Sequence, residues 1–566
     1  MIAKPGSSST AVPDPRVRAA TSMTTPILTV EDLRITFGSV TALKGLSFEL
    51  EPGRALGLVG ESGSGKSAAA LALLGLHRGT SAEVGGRILL WPREDGPAAE
   101  PVEINSADPT TLRRIRGREL AMIFQEPLTS LDPYHRVGEQ IAAVHRLHFG
   151  SGHDEARKRA SAALDQVGID AKAKYRAYPH EFSGGMRQRA LIAMALVLEP
   201  RVLVADEPTT ALDVTVQAQI LALLGRLREE IGLSLILISH DLAVVGGNVD
   251  DVLVLKEGEE VERGPVRQVL TVPQHPYTKA LLAAIPRLDA ELPELSTPAS
   301  TSAAPGVPAE PLLRISDLNV TFPAHRGAAA TLAVDGVSLE LREGESLGIV
   351  GESGSGKSTL GRSIVRLQKP TSGRIEFAGR DLGAWRGRAL REHRRDLQLI
   401  FQDPASSLNP RRTIGESIAE PLIVHGEKDR TKLRAAVDEL LERVDLDRPL
   451  YHRYPHQLSG GQRQRAAIAR ALILRPRLVV CDEPVSALDV TTQAQVVRLL
   501  RELRAEFELT LVFIAHDLAV VRQVSDRIAV MNRGRIVETL SAAGLHEARD
   551  PYTRALLEAV PELPAA

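Results

Sequence analysis

The octapeptide GESGSGKS occurs twice in this chain of 566 residues, at 60–67 and again at 351–358. Other motifs follow in the same order in both halves, and from Ser183 onward each second copy lies at an almost constant distance from the first. Self-similarity at a long, fixed spacing indicates two copies of one domain. We therefore predict a tandem protein in which each half is long enough to bury its own core.

Two segments lack the periodic apolar pattern of a folded domain. Residues 1–25 are rich in Pro, Ser and Thr, and 288–311 are rich in Pro, Ala and Ser, a composition typical of disordered leaders and of linkers. These segments delimit a first domain at 26–287 and a second domain at 312–566. The first half carries extra residues around 91–109, which we expect to form a longer loop or a hairpin.

Composition excludes several classes of function. The chain is 43% hydrophobic and 25% charged, which is typical of a globular protein, and its net charge of −2 gives no reason to expect a nucleic-acid partner. Cys481 is the one cysteine, so neither an internal disulfide nor a cysteine-ligated metal site can form. No apolar run reaches the roughly 18 residues that a membrane-spanning helix needs.

Each octapeptide matches the pattern GxxxxGK[ST] between a short apolar strand and a helical pattern. Glycines let backbone N–H groups converge on phosphates, the lysine reaches the β- and γ-phosphates, and the serine hydroxyl can bind Mg²⁺. One match could arise by chance, but two in matched contexts argue for a nucleotide site in each half. The predicted phosphate-binding residues are Gly60, Ser62, Gly63, Ser64, Gly65, Lys66 and Ser67, and then Gly351, Ser353, Gly354, Ser355, Gly356, Lys357 and Ser358.

A second apolar strand in each half ends in two acidic residues. The sequences are VLVADEP, ending in Asp206 and Glu207, and LVVCDEP, ending in Asp482 and Glu483. A lone Asp-Glu pair is usually a solvated turn, but here the pair follows a phosphate loop in both halves. We predict that the aspartates bind Mg²⁺ and that the glutamates polarise the attacking water.

FSGGMRQR at 182–189 and LSGGQRQR at 458–465 resemble the signature motif of ATP-binding-cassette ATPases. This resemblance implies two tandem P-loop NTPase domains of the α/β class. Each would have a RecA-like parallel-sheet core, an antiparallel β subdomain and a helical subdomain. In that family the signature of one domain closes on the nucleotide of the other, which implies intramolecular pairing of the two ATPase domains. The γ-phosphate contacts would come from Ser183, Gly184, Gly185, Ser459, Gly460 and Gly461.

The same resemblance extends to two further motifs that carry single polar side chains. Gln125 in MIFQEP and Gln402 in LIFQDP resemble the Q-loop, which contacts Mg²⁺ or the water and couples to the membrane partner. His240 in LISHD and His516 in FIAHD resemble the switch histidine that meets the γ-phosphate. With both glutamates present, the resemblance implies two hydrolytic sites.

Two other positions complete the resemblance. Residues 211–213 and 487–489, both Ala-Leu-Asp, resemble the D-loop at the interface between the two domains. Phe37 and Phe322 stand where the family stacks an aromatic ring on adenine. A phenylalanine in a strand is often simply a core residue, so the stacking role is a weaker hypothesis than the others.

QHPYTKALLAAIP at 274–286 and RDPYTRALLEAVP at 549–561 resemble the terminal segments of dipeptide, oligopeptide and nickel importer ATPases. The resemblance implies ATP-driven uptake of dipeptides or oligopeptides across the cytoplasmic membrane, with this chain bound peripherally at the cytoplasmic face of that membrane. The partners would be two membrane permease subunits and an extracytoplasmic substrate-binding protein. Some peptide importers carry a cysteine-ligated iron–sulfur cluster after this segment, and we expect none here because no cysteine follows before Cys481.

Other functions stay open on the sequence alone. The cargo could be nickel, glutathione or another small solute, because the permeases and not this chain would select it. Exporters and monosaccharide importers are less consistent with the PYT segments. A different class, a soluble tandem ATPase acting on ribosomes or nucleic acid, would also lack membrane spans, but it would not be expected to carry these segments.

Overall fold

The computed structural model describes residues 25–92, 100–125, 130–210, 212–289, 310–323, 330–486 and 488–561. Most of the expected leader and linker lie outside these ranges, and so do the alanines of the two expected D-loops, Ala211 and Ala487. Within the described ranges, no helix combines the length and the apolar character needed to cross a membrane.

Ten strands in the described part of the first half form two sheets. They are β1 (Leu28–Phe37), β2 (Val40–Leu50), β3 (Ala55–Val59), β4 (Ala82–Leu90), β5 (Val102–Glu103), β6 (Leu120–Ile123), β7 (Val202–Asp206), β8 (Ser234–Ser239), β9 (Asp251–Lys256) and β10 (Glu259–Pro265). One sheet is antiparallel with the order β2-β1-β4-β5. The other has the order β10-β9-β3-β8-β7-β6 and is parallel except for its edge strand β10.

The helices of the first half surround these sheets. They are α1 (Lys66–Leu73), α2 (Pro109–Ile115), α3 (Val137–Phe149), α4 (His153–Gln166), α5 (Ala171–Lys174), α6 (Gly184–Leu196), α7 (Val214–Ile231), α8 (Leu242–Gly246), α9 (Val266–Thr271) and α10 (Pro276–Ala284). Helices α3, α4 and α6 pack on one another between β6 and β7 and form a helical subdomain. In α4 the buried residues Ala156, Ala160, Ala163 and Leu164 recur at the spacing of one helix face, which explains why this segment packs as a helix.

The strands of the second half repeat the arrangement. They are β11 (Leu313–Phe322), β12 (Thr331–Leu341), β13 (Ser346–Val350), β14 (Ser372–Phe377), β15 (Arg380–Asp381), β16 (Leu397–Ile400), β17 (Leu478–Asp482), β18 (Thr510–Ala515), β19 (Arg527–Asn532) and β20 (Arg535–Ser541). The antiparallel sheet has the order β12-β11-β14-β15, and the larger sheet has the order β16-β17-β18-β13-β19-β20. Strand β20 is again the antiparallel edge.

The second set of helices follows the same plan. They are α11 (Lys357–Ile364), α12 (Gly387–His393), α13 (Pro404–Ser407), α14 (Ile414–Val424), α15 (Arg430–Arg443), α16 (Gly460–Leu472), α17 (Val490–Phe507), α18 (Leu518–Val524) and α19 (Pro551–Glu558). Short 3₁₀ segments occur at Pro179–Glu181, Leu382–Ala384, Arg448–His452, Pro455–Gln457 and Leu545–Glu547. The predicted fold class is confirmed, with an antiparallel sheet, a mainly parallel sheet and a helical subdomain in each half.

Each central sheet is covered on both faces, as expected for a parallel sheet. All five residues of β3 are buried. Ala55 and Val59 face the core shared with the helical subdomain, whereas Leu56 and Leu58 face the core shared with the antiparallel sheet. Strands β4 and β5 of the first half pair antiparallel, in agreement with the expected hairpin. Of the residues between them, 93–99 lie outside the described residues.

Candidate active sites

The lysine of each phosphate loop is enclosed by the loop itself. Lys66 Nζ donates hydrogen bonds to the carbonyl oxygens of Gly60 and Glu61, both at 2.7 Å. Lys357 makes the equivalent bonds in the second half, also at 2.7 Å. Burial lowers the pKa of both lysines, although nearby carboxylates oppose this shift. The two ammonium groups are therefore held where phosphate oxygens could reach them.

The glycine before each lysine is required by the geometry of the loop. Gly65 and Gly356 have φ values of 98° and 103°, in the left-handed region that side chains disfavour. A Cβ atom at Gly65 would collide with the carbonyl oxygen of Ala42, and one at Gly356 would collide with that of Ala333. Both carbonyls belong to the second strand of the neighbouring antiparallel sheet, so this sheet sets the shape of each loop.

The predicted metal-binding aspartates end a central strand of each sheet. Ser67 Oγ donates a hydrogen bond to Asp206 Oδ1 at 3.2 Å, and burial raises the pKa of Asp206 to about 6. Asp482 is fully buried, and within the described ranges neither of its carboxylate oxygens has a hydrogen-bond partner, although the Arg362 guanidinium lies 3.6 Å from Oδ2. Buried carboxylates of this kind suit Mg²⁺, which prefers oxygen ligands, and in the first half the Ser67 hydroxyl lies beside the carboxylate. The residues present therefore fit the expected metal.

The next residue in each half, Glu207 or Glu483, has an unusual backbone conformation. Their φ values are 46° and 47°, and residues other than glycine adopt this region only where their surroundings hold them. The backbone N–H of Glu207 donates to the carbonyl of Ile238 at 3.0 Å, and that of Glu483 donates to Ile514 at 2.9 Å. The neighbouring strand therefore holds each glutamate in place at the end of the sheet.

Three side chains surround the Glu207 carboxylate. Gln125 Nε2 and Thr210 Oγ1 each donate to Oε2 at 2.9 Å, and His240 Nδ1 lies 3.2 Å from Oε1. The structure thus brings the predicted Q-loop glutamine and switch histidine together on the predicted base. Thr210 was missed from the sequence, where a threonine after an Asp-Glu-Pro turn carries no distinctive signal.

The second site is similar but less tightly held. Gln402 Nε2 donates to Glu483 Oε2 at 2.7 Å, whereas His516 Nδ1 lies 3.9 Å from the same oxygen. Ser486 stands at the position of the threonine, and its hydroxyl donates to the backbone carbonyl of Glu483 and not to the carboxylate. The two predicted sites contain the same glutamine, histidine and glutamate, but the hydrogen bonds that hold the glutamate differ.

The ion pair in the first site changes the pKa of both of its members. Burial alone would disfavour the charged form of Glu207, but the hydrogen bond and the charge of His240 lower the pKa of the carboxyl to about 2. Burial likewise opposes the charged form of His240, but Glu207 raises its pKa above the ordinary value of 6.5. Glu207 is therefore an ionised acceptor near pH 7.

The signature serines begin the helices that follow them. Ser183 Oγ accepts the N–H of Met186 at 3.3 Å at the start of α6, and Ser459 Oγ accepts the N–H of Gln462 at 3.2 Å at the start of α16. The Gln462 side chain returns a bond by accepting the N–H of Ser459 at 3.0 Å. Met186 cannot form this reciprocal bond, so its presence changes the helix cap and leaves the serine in place.

The second glycine of each signature allows close packing against another helix of the same cassette. Gly185 and Gly461 lie so close to Val216 and Thr492 that a Cβ atom at either glycine would clash. Val216 and Thr492 lie on α7 and α17, the helices that follow the predicted D-loops. Gly184 and Gly460 occupy the first turns of α6 and α16, where backbone N–H groups are available to an anion.

Comparison with known proteins decides the family. The family described as ABC transporter matches residues 43–210 and 334–486, which together make up more than half of the chain. The chain belongs to the ATP-binding-cassette transporter family. A second family, described as the C-terminal region of oligopeptide/dipeptide transporters, matches 261–308 and includes the first PYT segment.

Curated relatives share the fused arrangement over nearly their whole length. The glutathione import ATP-binding protein GsiA of Escherichia coli (strain K12) is 47% identical over 560 residues, covering 94% of this chain and 89% of the relative. The protein of the same name from Shigella sonnei (strain Ss046) matches equally well, at 47% identity over the same shares. The dimeric ATP-binding cassette MJ0796, solved with ADP and Pi, is 32% identical over 41% of this chain and 98% of that chain, with a TM-score of 0.38. The protein is an ABC transporter ATPase with two cassettes in one chain.

The two cassettes contact each other next to the P-loops. Thr491 Oγ1 lies 2.7 Å from Glu61 Oε1 in the opposite cassette and 2.7 Å from Asp489 Oδ1 in its own D-loop. Thr215 is placed equivalently, 2.7 Å from Glu352 Oε1. Neither threonine was predicted from the sequence. A signal was present, because both octapeptides contain the glutamate and both D-loops continue as Asp-Val-Thr.

The cleft in front of the second P-loop is built from both cassettes. Leu212 and Asp213 of the first cassette line it together with residues of the second cassette, including Ser353 and Lys357. Ser353 N–H also donates to Asp213 Oδ2 at 3.4 Å. Asp213 thus contacts the opposite P-loop directly, whereas Asp489 is joined to it through Thr491. Contact of each P-loop with the opposite signature stays a prediction.

The predicted adenine-stacking residues end equivalent strands. Phe37 closes β1 and Phe322 closes β11, on hairpins whose second strands run beside the P-loops. Phe322 is 41% exposed, whereas Phe37 meets His77 edge to face with ring centroids 5.5 Å apart and packs against the core. Both rings therefore lie on the hairpin next to the P-loop of their own cassette. Stacking on adenine stays a prediction.

Proposed function

We propose that this ATPase drives the uptake of glutathione, or of a closely related small peptide, across the cytoplasmic membrane. The observation that carries this proposal is the identity of 47% over 94% of the chain with a glutathione import ATP-binding protein that also fuses two cassettes. The sequence alone favoured dipeptides and oligopeptides, with glutathione as an alternative. The relatives support the alternative better, and glutathione is itself a tripeptide.

ATP would bind at the two phosphate loops. The backbone N–H groups of 60–67 and 351–358, together with Lys66 and Lys357, would hold the phosphates at the start of α1 and α11. Mg²⁺, when bound, would neutralise charge on the β- and γ-phosphates. The residues that would hold it are Ser67, Asp206 and Gln125 in the first half and Ser358, Asp482 and Gln402 in the second.

Glu207 and Glu483 would act as the bases of the two sites. The low pKa of Glu207 leaves its carboxylate ionised near pH 7, ready to accept a hydrogen bond from an attacking water. His240 and Gln125 fix the orientation of this carboxylate, and His516 and Gln402 would do the same for Glu483. When ATP is bound, His240 would contact both the γ-phosphate and Glu207, and would so link the nucleotide to the base.

Each site would be completed by the other cassette. We assign 26–287 and 312–566 as the two cassettes, with 1–25 as a leader and 288–311 as the linker that keeps the pair in one chain. The signature at Ser459 would close on the P-loop at 60–67, and that at Ser183 on the opposite one. The contacts of Thr215 and Thr491 across the interface support this arrangement because they bring each P-loop against the other half.

Transport requires other proteins. We propose two membrane permease subunits and an extracytoplasmic substrate-binding protein as partners, with this chain bound peripherally at the cytoplasmic face. Closure of the cassettes on two ATP molecules would reorient the permeases, and hydrolysis would reopen them. We expect neither an iron–sulfur cluster nor a nucleic-acid partner. The match of 261–308 to the oligopeptide/dipeptide region favours dipeptides or oligopeptides as the second candidate cargo.

A substrate panel on the assembled transporter tests the cargo. The chain, its two permeases and the binding protein are reconstituted in liposomes, and ATPase activity is measured with glutathione, a dipeptide, a pentapeptide and Ni²⁺. We expect glutathione to stimulate hydrolysis most. Stimulation by dipeptides or Ni²⁺ alone would overturn the cargo assignment, and co-sedimentation of the chain with ribosomes but not with permeases would overturn the transport role.

A further inference from the structure

The tyrosines of the two PYT segments reach the P-loops of their own cassettes. The backbone N–H of Glu61 donates a hydrogen bond to Tyr277 Oη at 3.1 Å, and that of Glu352 donates to Tyr552 Oη at 2.9 Å. Burial raises the pKa of both phenols to about 12, so both hydroxyls are neutral near pH 7. The contact joins the second residue of each phosphate loop to the C-terminal end of the same cassette, and it occurs in both halves.

The helix that carries each tyrosine is fixed at its first turn. His275 Nδ1 accepts the N–H of Tyr277 at 3.2 Å, and an Asp550 oxygen accepts the N–H of Tyr552 at 2.8 Å. The Glu262 carboxylate on β10 accepts two further backbone N–H groups just before α10, at 2.7 and 3.1 Å, and its counterpart on β20 does the same before α19. The replacement of histidine by aspartate therefore preserves the cap, and the tyrosine is held at one position relative to the sheet.

The residue that receives the tyrosine contact also faces the opposite cassette. The Glu61 carboxylate lies 2.7 Å from the Thr491 hydroxyl, which in turn contacts Asp489 of the opposite D-loop. Helix α10 packs against α17, the helix that begins directly after this D-loop, and α19 packs against α7 in the same way. A continuous series of contacts therefore runs from the PYT helix through the P-loop to the D-loop of the other cassette.

We propose that Tyr277 and Tyr552 are positioning residues of the two ATP sites, which fix the P-loop and link its conformation to the seating of the opposite cassette. The inference rests on the proposed assignment of the P-loops as the ATP sites. Without the hydroxyl, the Glu61 N–H would lose its partner in a partly buried setting, an unfavourable state that a shift of the loop would relieve. Such a shift would move both the phosphate cradle and the carboxylate that meets Thr491.

The test replaces one hydroxyl in the full-length chain within the assembled transporter. For Tyr277→Phe we expect the KM for ATP to rise about tenfold, with kcat changed less than about twofold, because the phenol supports ground-state nucleotide binding. The Hill coefficient for ATP should fall toward 1. Tyr552→Phe should behave alike. Tyr175→Phe, which removes a buried hydroxyl elsewhere in the first cassette, is the matched control and should leave the KM unchanged.

A double-mutant cycle separates positioning from simple packing. Thr491→Val removes the contact on the other side of Glu61 and leaves the tyrosine in place. If the two contacts act through one P-loop conformation, the effects of Tyr277→Phe and Thr491→Val on the KM will be clearly less than multiplicative in the double variant. An unchanged KM in Tyr277→Phe, or fully multiplicative effects in the double variant, would overturn the inference.

The failure of this inference can be told apart from the failure of the proposed sites. ATP affinity is measured in a Glu207→Gln, Glu483→Gln background, where hydrolysis should be blocked and binding kept. If ATP does not bind there, or if it binds and Lys66→Ala leaves binding unchanged, the assigned sites are wrong. If ATP binds and Tyr277→Phe leaves the affinity unchanged, the sites stand and the positioning role fails.

Discussion

At the residue scale, the polar contacts of each site converge on the glutamate that directly follows the buried aspartate. Both have φ values near 46°, and both are held by an N–H bond to the adjacent strand. The first carboxylate meets Gln125, Thr210 and His240, whereas the second meets Gln402 closely and His516 at 3.9 Å. The two sites thus contain the same glutamine and histidine, but the first glutamate is held by more hydrogen bonds than the second.

Replacing either glutamate by glutamine tests the number of hydrolytic sites. A positioned base contributes about 10²–10⁴-fold to the rate at its own site. If both sites hydrolyse ATP in one coupled cycle, Glu207→Gln and Glu483→Gln will each lower the steady-state ATPase rate of the assembled transporter by more than half. A variant that keeps the full rate would show that its site does not hydrolyse ATP.

The ion pair between His240 and Glu207 predicts a dependence on pH. Because the pKa of His240 is raised in the folded chain, its stabilising contribution is complete below the ordinary value of 6.5 and is lost as pH rises through the folded value. Because the pKa of Glu207 is lowered to about 2, its contribution is complete above the ordinary value of 4.5. The pair is therefore strongest between these two ordinary values.

The matching measurement is thermal unfolding of the nucleotide-free chain. His240→Gln should lower the Tm more at pH 6 than at pH 8, by an amount equivalent to about 1 kcal/mol, the scale of one charge-assisted hydrogen bond. His516→Gln is the control, because its 3.9 Å separation from Glu483 is outside hydrogen-bond range. An equal loss at both pH values for His240→Gln would contradict the account.

At the element scale, short helices and their caps position the functional segments. Ser183 and Ser459 cap the signature helices, and His275 and Asp550 cap the PYT helices. His275 and Asp550 are different residues, but each accepts the backbone N–H of the tyrosine two positions later. The element is therefore conserved between the halves although its cap residue is not.

This equivalence predicts the result of exchanging caps. His275→Ala should destabilise the first cassette by about 0.5–2 kcal/mol, the usual cost of losing an N-cap, whereas His275→Asp should retain stability. Differential scanning calorimetry of the full chain would show the difference as a lower Tm for the alanine variant only. Equal Tm values for the two variants would mean that the cap does not hold the PYT helix.

Much of this arrangement could be predicted from the sequence, because its main segments are neighbours along the chain. Strand β3, the glycine loop and α1 follow one another directly, so pattern and glycine spacing identify them, and Asp206 is marked by the apolar run before it. The contacts of Tyr277 with Glu61 and of Thr491 with Glu61 join segments far apart in the chain, and no periodicity reports them. The left-handed backbone conformation of Glu207 could not be predicted from the sequence either, because a hydrogen bond to a distant strand imposes it.

At the scale of the whole molecule, the two cassettes are in direct contact. Thr215 and Thr491, which follow the two D-loops, meet the opposite P-loops. Val490 of the second cassette packs into the core of the first, and the PYT helices pack across the interface. These contacts support sites that are shared between the halves.

The central claim, that each P-loop works with the signature of the other cassette, is tested by pairing inactivating substitutions. Lys66→Ala with Ser459→Arg should damage only one composite site, whereas Lys66→Ala with Ser183→Arg should damage both. The measurement is the number of ATP molecules bound per chain in the Glu207→Gln, Glu483→Gln background. We predict one ATP for the first pair and none for the second, and the reverse result would show that each cassette completes its own site.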